Sequence, residues 1–192
     1  YNPQVRDHGG LHGTAIISKV KPEKVICGYA PSSSELHAAQ TDSVALDDAR
    51  LSMNDDGRCI TAVFSHFTVV NTYTPCSGLL KHGKTPLDVA LKDAFRKRYD
   101  GCLVRHCQNV RSSYSRPVIV SGDLNVTASR EDCFYHRVDH DFPGCKPWER
   151  ASFRSFCSTL SLSDAYLQFH PQPHKSGCTY FRSEHHWRSH RG

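Results

Sequence analysis

The sequence predicts an α/β (α+β) fold in which a mixed sheet is packed by helices. Three observations predict it. Arg58–Phe64 and Phe67–Tyr73 are β-rich runs separated only by Ser65-His66, the spacing of a tight hairpin. Thr85-Pro86 opens a helical pattern. A short apolar run, Val118-Ile119-Val120, follows that helix. Hairpin strands and helix-separated strands in one chain call for a layered mixed sheet.

Taken in order, Thr14–Lys19 reads as a strand after the turn-rich Gly9–Gly13, and Lys24–Gly28 as another. Residues 30–57 form a long polar excursion with helix expected around 43–53. In the second hairpin run Phe67, Val69, Asn71 and Tyr73 share one face, and Thr68, Val70 and Thr72 the other. Thr85 suits an N-cap, Pro86 the first helical position, and Asp88 the positive end of the helix dipole. Leu87, Leu91, Ala94 and Phe95 then recur at helical spacing, and the helix is expected to run to about Val104. Lys92, Arg96, Lys97 and Arg98 read as a solvated charged face. Residues 117–121 read as a central strand buried on both faces. Pro147 opens a further helix whose stripe is Phe153, Phe156, Cys157 and Leu160. Gly177–Phe181 reads as a final strand, and 182–192 as a basic, histidine-rich tail. No repeat or linker divides the chain, so residues 1–192 are read as a single domain.

Composition narrows the classes. Of 192 residues, 38% are hydrophobic and 22% charged, a globular balance rather than a disordered one. No apolar stretch approaches the ~20 residues of a membrane helix, so no membrane partner is expected. The net charge of +5 suits a polyanionic partner without demanding one. Nine cysteines lack any Cys-x-x-Cys pair, which removes the key spacing of zinc ribbons and thioredoxin-like sites. Cys27, Cys59 and Cys157 lie in apolar runs, where a thiol acts as a small hydrophobe, so reduced thiols are expected. Cys102, His106 and Cys107 offer a zinc reading that lacks an evident fourth ligand.

The chemistry-bearing candidates sit where strands end. Asp123 and Asn125 lie two apart after the apolar run, on one side if the segment stays extended. A carboxylate there can take a proton or bind a metal, and an amide can orient a reacting group without adding charge. Gly-Asp and Asn are equally common turn formers, which leaves a purely structural reading open. Tyr73 ends its strand before Thr74-Pro75, where a phenol can donate to a developing oxyanion.

Four segments in order, GLHGTAIISK, GRCITAVFSHFTVVNTYTP, RPVIVSGDLNV and PWERASF, resemble the exonuclease III type of apurinic/apyrimidinic (AP) endonuclease. These proteins fall within the endonuclease/exonuclease/phosphatase superfamily, and the resemblance runs from about Gly9 to Phe181. It implies a four-layered α/β sandwich, two mixed sheets flanked by helices, here partial. It implies a Mg2+-dependent DNA-repair phosphodiesterase, with Mn2+ as an alternative ion, that cuts 5′ to abasic sites in double-stranded DNA. Trimming of 3′ ends would accompany that activity. Tyr73 would contact the scissile phosphate, Asp123 would be the catalytic aspartate, and Asn125 would hold the phosphate or nucleophile. Asp123 and Asn125 would face metal positions. A monomer in the nucleus is expected, with the mitochondrion as the alternative compartment.

Departures from the pattern bear on substrate contact. Cys76 stands where the family has an Asn, Leu11 near a DNA-contacting tyrosine, and Leu79 near an arginine presented to the duplex. The family's metal-binding glutamate strand would precede residue 1, and its W-R-x-D-Y and S-D-H elements would follow residue 192. The 192 residues by themselves are therefore expected to be nearly inactive. Two further readings stay open. The superfamily also hosts retroelement endonucleases, deadenylases and inositide phosphodiesterases, and a truncated relative would serve as a binding or scaffold subunit.

Overall fold

The computed structural model describes residues 2–3, 13–29, 57–80, 83–129, 132 and 142–170. The expected helix near 43–53, the strand at 177–181, the basic tail and Leu11 lie outside the described residues. Six strands and three helices are described: β1 (Asn2–Pro3), β2 (Gly13–Thr14), β3 (Lys24–Cys27), β4 (Cys59–Val63), β5 (Thr68–Tyr73), α1 (Pro86–Tyr114), β6 (Val118–Asp123), α2 (Pro147–Leu160) and α3 (Ala165–Phe169).

β1 and β2 pair by themselves, and the other four strands form one mixed sheet in the order β3-β4-β5-β6. β4 and β5 are the expected hairpin, running antiparallel from Cys59↔Thr72 to Val63↔Thr68. The Phe64 N–H closes the turn on the Phe67 carbonyl at 2.9 Å, leaving Ser65-His66 as an exposed tip. β5 and β6 are parallel, from Thr68↔Val118 to Tyr73↔Asp123. Parallel neighbours need a long crossover, and α1 supplies it.

The start of α1 follows its sequence signals. The Asp88 N–H donates to Thr85 Oγ1, and the Thr85 N–H donates back to Asp88 Oδ2 at 2.7 Å. These bonds hold the Asp88 carboxyl below its usual range. The helix ends at Ser115, in the left-handed region at φ 51°, where its N–H reaches the Arg111 carbonyl. It runs ten residues past the expected Val104, because the stripe that packs is Tyr99, Leu103, Cys107 and Val110. Leu87 and Leu91, expected to lie on the packed face, are 68% and 43% exposed on another side of the helix.

The core lies between one face of the sheet and the helices. Cys59, Val70 and Val118 meet the α1 stripe, and Phe156 and Leu160 of α2 close it, with Phe153 and Cys157 packed at the margin as expected. Each fully buried large side chain contributes about 1.5–3 kcal/mol of burial. On β5 the buried face is Thr68, Val70 and Thr72, while Val69, Asn71 and Tyr73 are half-buried on the other. Thr72 Oγ1 and the Tyr99 hydroxyl share a buried bond of 2.7 Å, and Thr61 Oγ1 meets His106 Nε2 at 2.8 Å.

Three further expectations need correction. The strand at 14–19 is confined to β2, and Ile17 is fully exposed. Among the described residues β6 is an edge strand rather than a central one, with Ile119 49% exposed, because β5 alone pairs with it. Cys27 is exposed, whereas Cys59 and Cys107 are core thiols that burial pushes up to about 12. Among the described residues Cys27, Cys76, Cys107 and Cys157 are free thiols. His106 and Cys107 serve packing, and among the described residues no three His, Cys, Asp or Glu side chains group as a metal would need. No described helix is long and apolar enough to cross a membrane.

Candidate active site

The register of β5 and β6 ends on the pair Tyr73↔Asp123. Residues opposite each other on adjacent strands project to the same face, roughly 4.8 Å apart along the hydrogen-bonding direction. The two side chains expected from the sequence are therefore neighbours on one face at one end of the sheet. Asp123 is exposed there and Tyr73 half-buried.

Gly122 makes the pairing close. It sits at φ 117°, and a Cβ on it would stand 2.1 Å from the Thr72 carbonyl oxygen and 2.7 Å from Asn71 Oδ1. Only glycine allows β6 to run this near β5 immediately before the aspartate.

Asn125 arrives by a different route from the one expected. The strand stops at Asp123, and Asn125 turns into the left-handed region at φ 46°, so the two residues do not share a face of an extended strand. A turn joins them instead: the Asn125 N–H donates to Asp123 Oδ1 at 2.9 Å. The Asn125 Nδ2 donates to the Thr74 carbonyl at 2.7 Å, bracing the exit of β6 against the exit of β5. The Thr74 N–H completes the tie on the Asp123 carbonyl at 2.8 Å. Asp123 Oδ2, Asn125 Oδ1 and the second Asn125 N–H lie outside these bonds. The turn itself presents the Asp123 carboxylate at the end of the strand.

Positive charge stands beside the phenol. The guanidinium of buried Arg58 lies 5.0 Å from the centre of the Tyr73 ring, and its Nη1 donates to the Tyr73 carbonyl at 3.3 Å. Cys76, which follows the β5 exit, is an exposed residue whose sulfur is partly covered. Burial, and then the negative charge of Glu149, raise its thiol above the usual range. At neutral pH the position adds no negative charge, and it offers no amide donor. Leu79 is half-buried further along the same loop.

Beneath the site lies a residue assigned to solvent by sequence reasoning. Arg96 of α1 is 2% exposed. Its Nη1 donates to the carbonyls of Pro75 and Asn125 at 3.1 and 3.0 Å, and its Nη2 to that of Leu124 at 3.1 Å. Its Nε donates to Asp100 Oδ1 at 2.8 Å, and Glu149 Oε1 lies 3.6 Å from Nη1. Asp100 in turn accepts from Ser152 of α2, and Lys146 at the start of α2 pairs with Asp93 of α1 at 2.8 Å. The charge run Arg96-Lys97-Arg98 hid this role, yet Arg96 falls three residues before Tyr99 and seven before Leu103, on the packed stripe.

The donors at the strand ends are all oxygen, the kind a hard divalent ion takes, but among the described residues they number fewer than such an ion needs.

No family model matches the chain. It is 27% identical over 165 residues to a DNA-(apurinic or apyrimidinic site) endonuclease of Dictyostelium discoideum, covering 86% of this chain and 38% of that protein. It is 25% identical over 162 residues to an exodeoxyribonuclease of Bacillus subtilis, covering 84% of this chain and 52% of the relative. The chain thus spans about two fifths to half the length of these relatives. Among solved structures it superposes on a 3′-5′ exonuclease of Neisseria meningitidis with a TM-score of 0.58 at 20% identity, covering 88% of this chain and 54% of that one. It superposes on an AP endonuclease of Leishmania major with a TM-score of 0.52 at 23% identity, covering 62% and 38%. The fold is the one these nuclease structures share, and the names of the sequence relatives agree with the exonuclease III-type resemblance.

Proposed function

From this exonuclease III-type fold we propose that the chain carries the reacting group of a DNA-repair phosphodiesterase that cuts the backbone 5′ to abasic sites and trims 3′ ends. One observation carries the reading: the parallel register sets Tyr73 and Asp123 side by side at the open end of the sheet, with Asn125 tied to both strand exits. The names of the sequence relatives, an AP endonuclease and an exodeoxyribonuclease, support DNA as substrate.

Phosphodiester hydrolysis asks a protein for positioning and for relief of charge on the phosphate oxygens. In this reading the Tyr73 phenol donates to a non-bridging oxygen. The Asp123 carboxylate takes the proton of the attacking water through the oxygen its turn leaves open. Asn125 fixes the distance between the two strand ends and offers its remaining amide groups to the phosphate. Arg58 adds positive potential beside Tyr73. Asp123 and Asn125 Oδ1 would hold Mg2+, and the bound ion would neutralise phosphate charge. An abasic nucleotide has little stacking to lose on leaving the duplex, which gives selectivity.

The test uses the natural full-length protein and a duplex bearing one stable abasic-site analogue, with Mg2+. Nicking on the 5′ side, stopped by a chelator, is the expected result. Intact abasic DNA alongside hydrolysis of a phosphoinositide would overturn the proposal.

A further inference from the structure

We infer that Arg96 is a positioning residue for this reaction, a clasp that holds the two strand exits at the separation the phosphate needs. The inference rests on the proposed activity and adds to it a residue that does not touch substrate.

The geometry is specific to a guanidinium. Two carbonyls come from the β6 exit (Leu124, Asn125) and one from the β5 exit (Pro75), all at 3.0–3.1 Å from the same planar group. Pro75 lies two residues after Tyr73, and Leu124 directly follows Asp123. Any shift of one exit against the other lengthens at least one of these bonds. The remaining edge of the guanidinium is fixed to α1 itself by Nε and Asp100. The clasp is thereby anchored to the longest rigid element of the fold, and α2 backs it through Glu149 and the Ser152–Asp100 bond. Burial makes these bonds costly to leave unmade, since carbonyls and a carboxylate would lose partners away from water. A lysine would keep the charge, but its single ammonium cannot reach three separated carbonyls and a carboxylate in one plane.

Positioning errors matter greatly here. A displacement of about 1 Å can cost 10²-fold in rate without weakening the encounter with substrate. Loss of the clasp should therefore appear in kcat and spare KM.

The experiment compares Arg96→Lys in the full-length protein with Val110→Ala, a core variant on the same helix that loses stability without touching the clasp. Cleavage of abasic duplex and hydrogen exchange of the Thr74 and Asn125 amides are both measured. These are the two amides that bind Asp123 across the site. The expected result for Arg96→Lys is kcat down about 10- to 100-fold, KM within about threefold, and faster exchange at both amides. Val110→Ala should leave kcat and those two amides near wild type. Equal kcat in the two variants, or unchanged exchange at Thr74 and Asn125 in Arg96→Lys, would overturn the inference. If the wild-type protein leaves abasic DNA uncut, the proposed activity falls, and the exchange data alone decide the clasp.

Discussion

Gly122 and Thr72 approach so closely that a β-carbon on the glycine would lie 2.1 Å from the threonine carbonyl oxygen. This contact sets Asp123 opposite Tyr73. Gly122→Ala must move backbone rather than a flexible side chain, and it also places alanine at φ 117°. The expected cost is about 3 kcal/mol or more, read as a lowered urea midpoint. A variant as stable as wild type would show that β5 and β6 separate without penalty.

Asp123 and Tyr73 should differ in the size of their effects. Asp123→Asn keeps the shape and the turn acceptor but removes the proposed base, and kcat on abasic duplex should fall by about 10³-fold or more. Tyr73→Phe removes the proposed donor to the phosphate and should lower kcat by about 10²-fold. Steady-state kinetics on both variants, with circular dichroism to confirm folding, would check this. Full activity in Asp123→Asn would assign the chemistry elsewhere.

His106 makes the fold acid-sensitive. Burial lowers its pKa to about 4, against about 6.5 in an unfolded chain. Between those values the unfolded state binds more protons, so stability is full above about pH 6.5, falls as pH drops toward 4, and levels off below. The total is about 3 kcal/mol. His106→Leu should remove this component from the difference between pH 7 and pH 4 denaturation curves. An unchanged slope would count against a buried neutral imidazole.

The Tyr99–Thr72 bond should show as a coupling. Tyr99→Phe removes the Tyr99 hydroxyl from buried Thr72 Oγ1, and Thr72→Val removes Thr72 Oγ1 from the Tyr99 hydroxyl, which keeps its bond to the Arg58 carbonyl, while the Tyr29 hydroxyl stays beside both. Each single change should cost about 1–3 kcal/mol, and the double variant less than their sum by about 1 kcal/mol. Strict additivity in a double-mutant cycle would deny the bond.

Much of the fold was legible because its signals are local. Ser65-His66 between two β-rich runs, the Thr85-Pro86-x-Asp88 cap and the stripe of α2 each depend on a few neighbouring residues, and each appears as read. The stripe of α1 was misjudged because Leu87 and Leu91 are apolar while the packed face mixes Arg96, Tyr99 and His106 with Leu103 and Val110. Hydrophobicity alone cannot find a face whose burial is satisfied by hydrogen bonds. The edge position of β6 among the described residues was hidden for a related reason, since an apolar run does not state how many neighbours it has.

The sequence by itself determined which residues end the strands: a phenol before Thr74-Pro75, and a carboxylate and an amide in a glycine-led turn. Tertiary structure decided that those ends are neighbours, through the parallel register, and that Asn125 braces rather than flanks Asp123. It also decided that Arg96 lies under the site instead of in water. Turn and cap preferences act over a few residues, whereas the partner of a strand, and the carbonyls that gather round a guanidinium, come from segments about twenty to fifty residues away and exist only once the chain has packed.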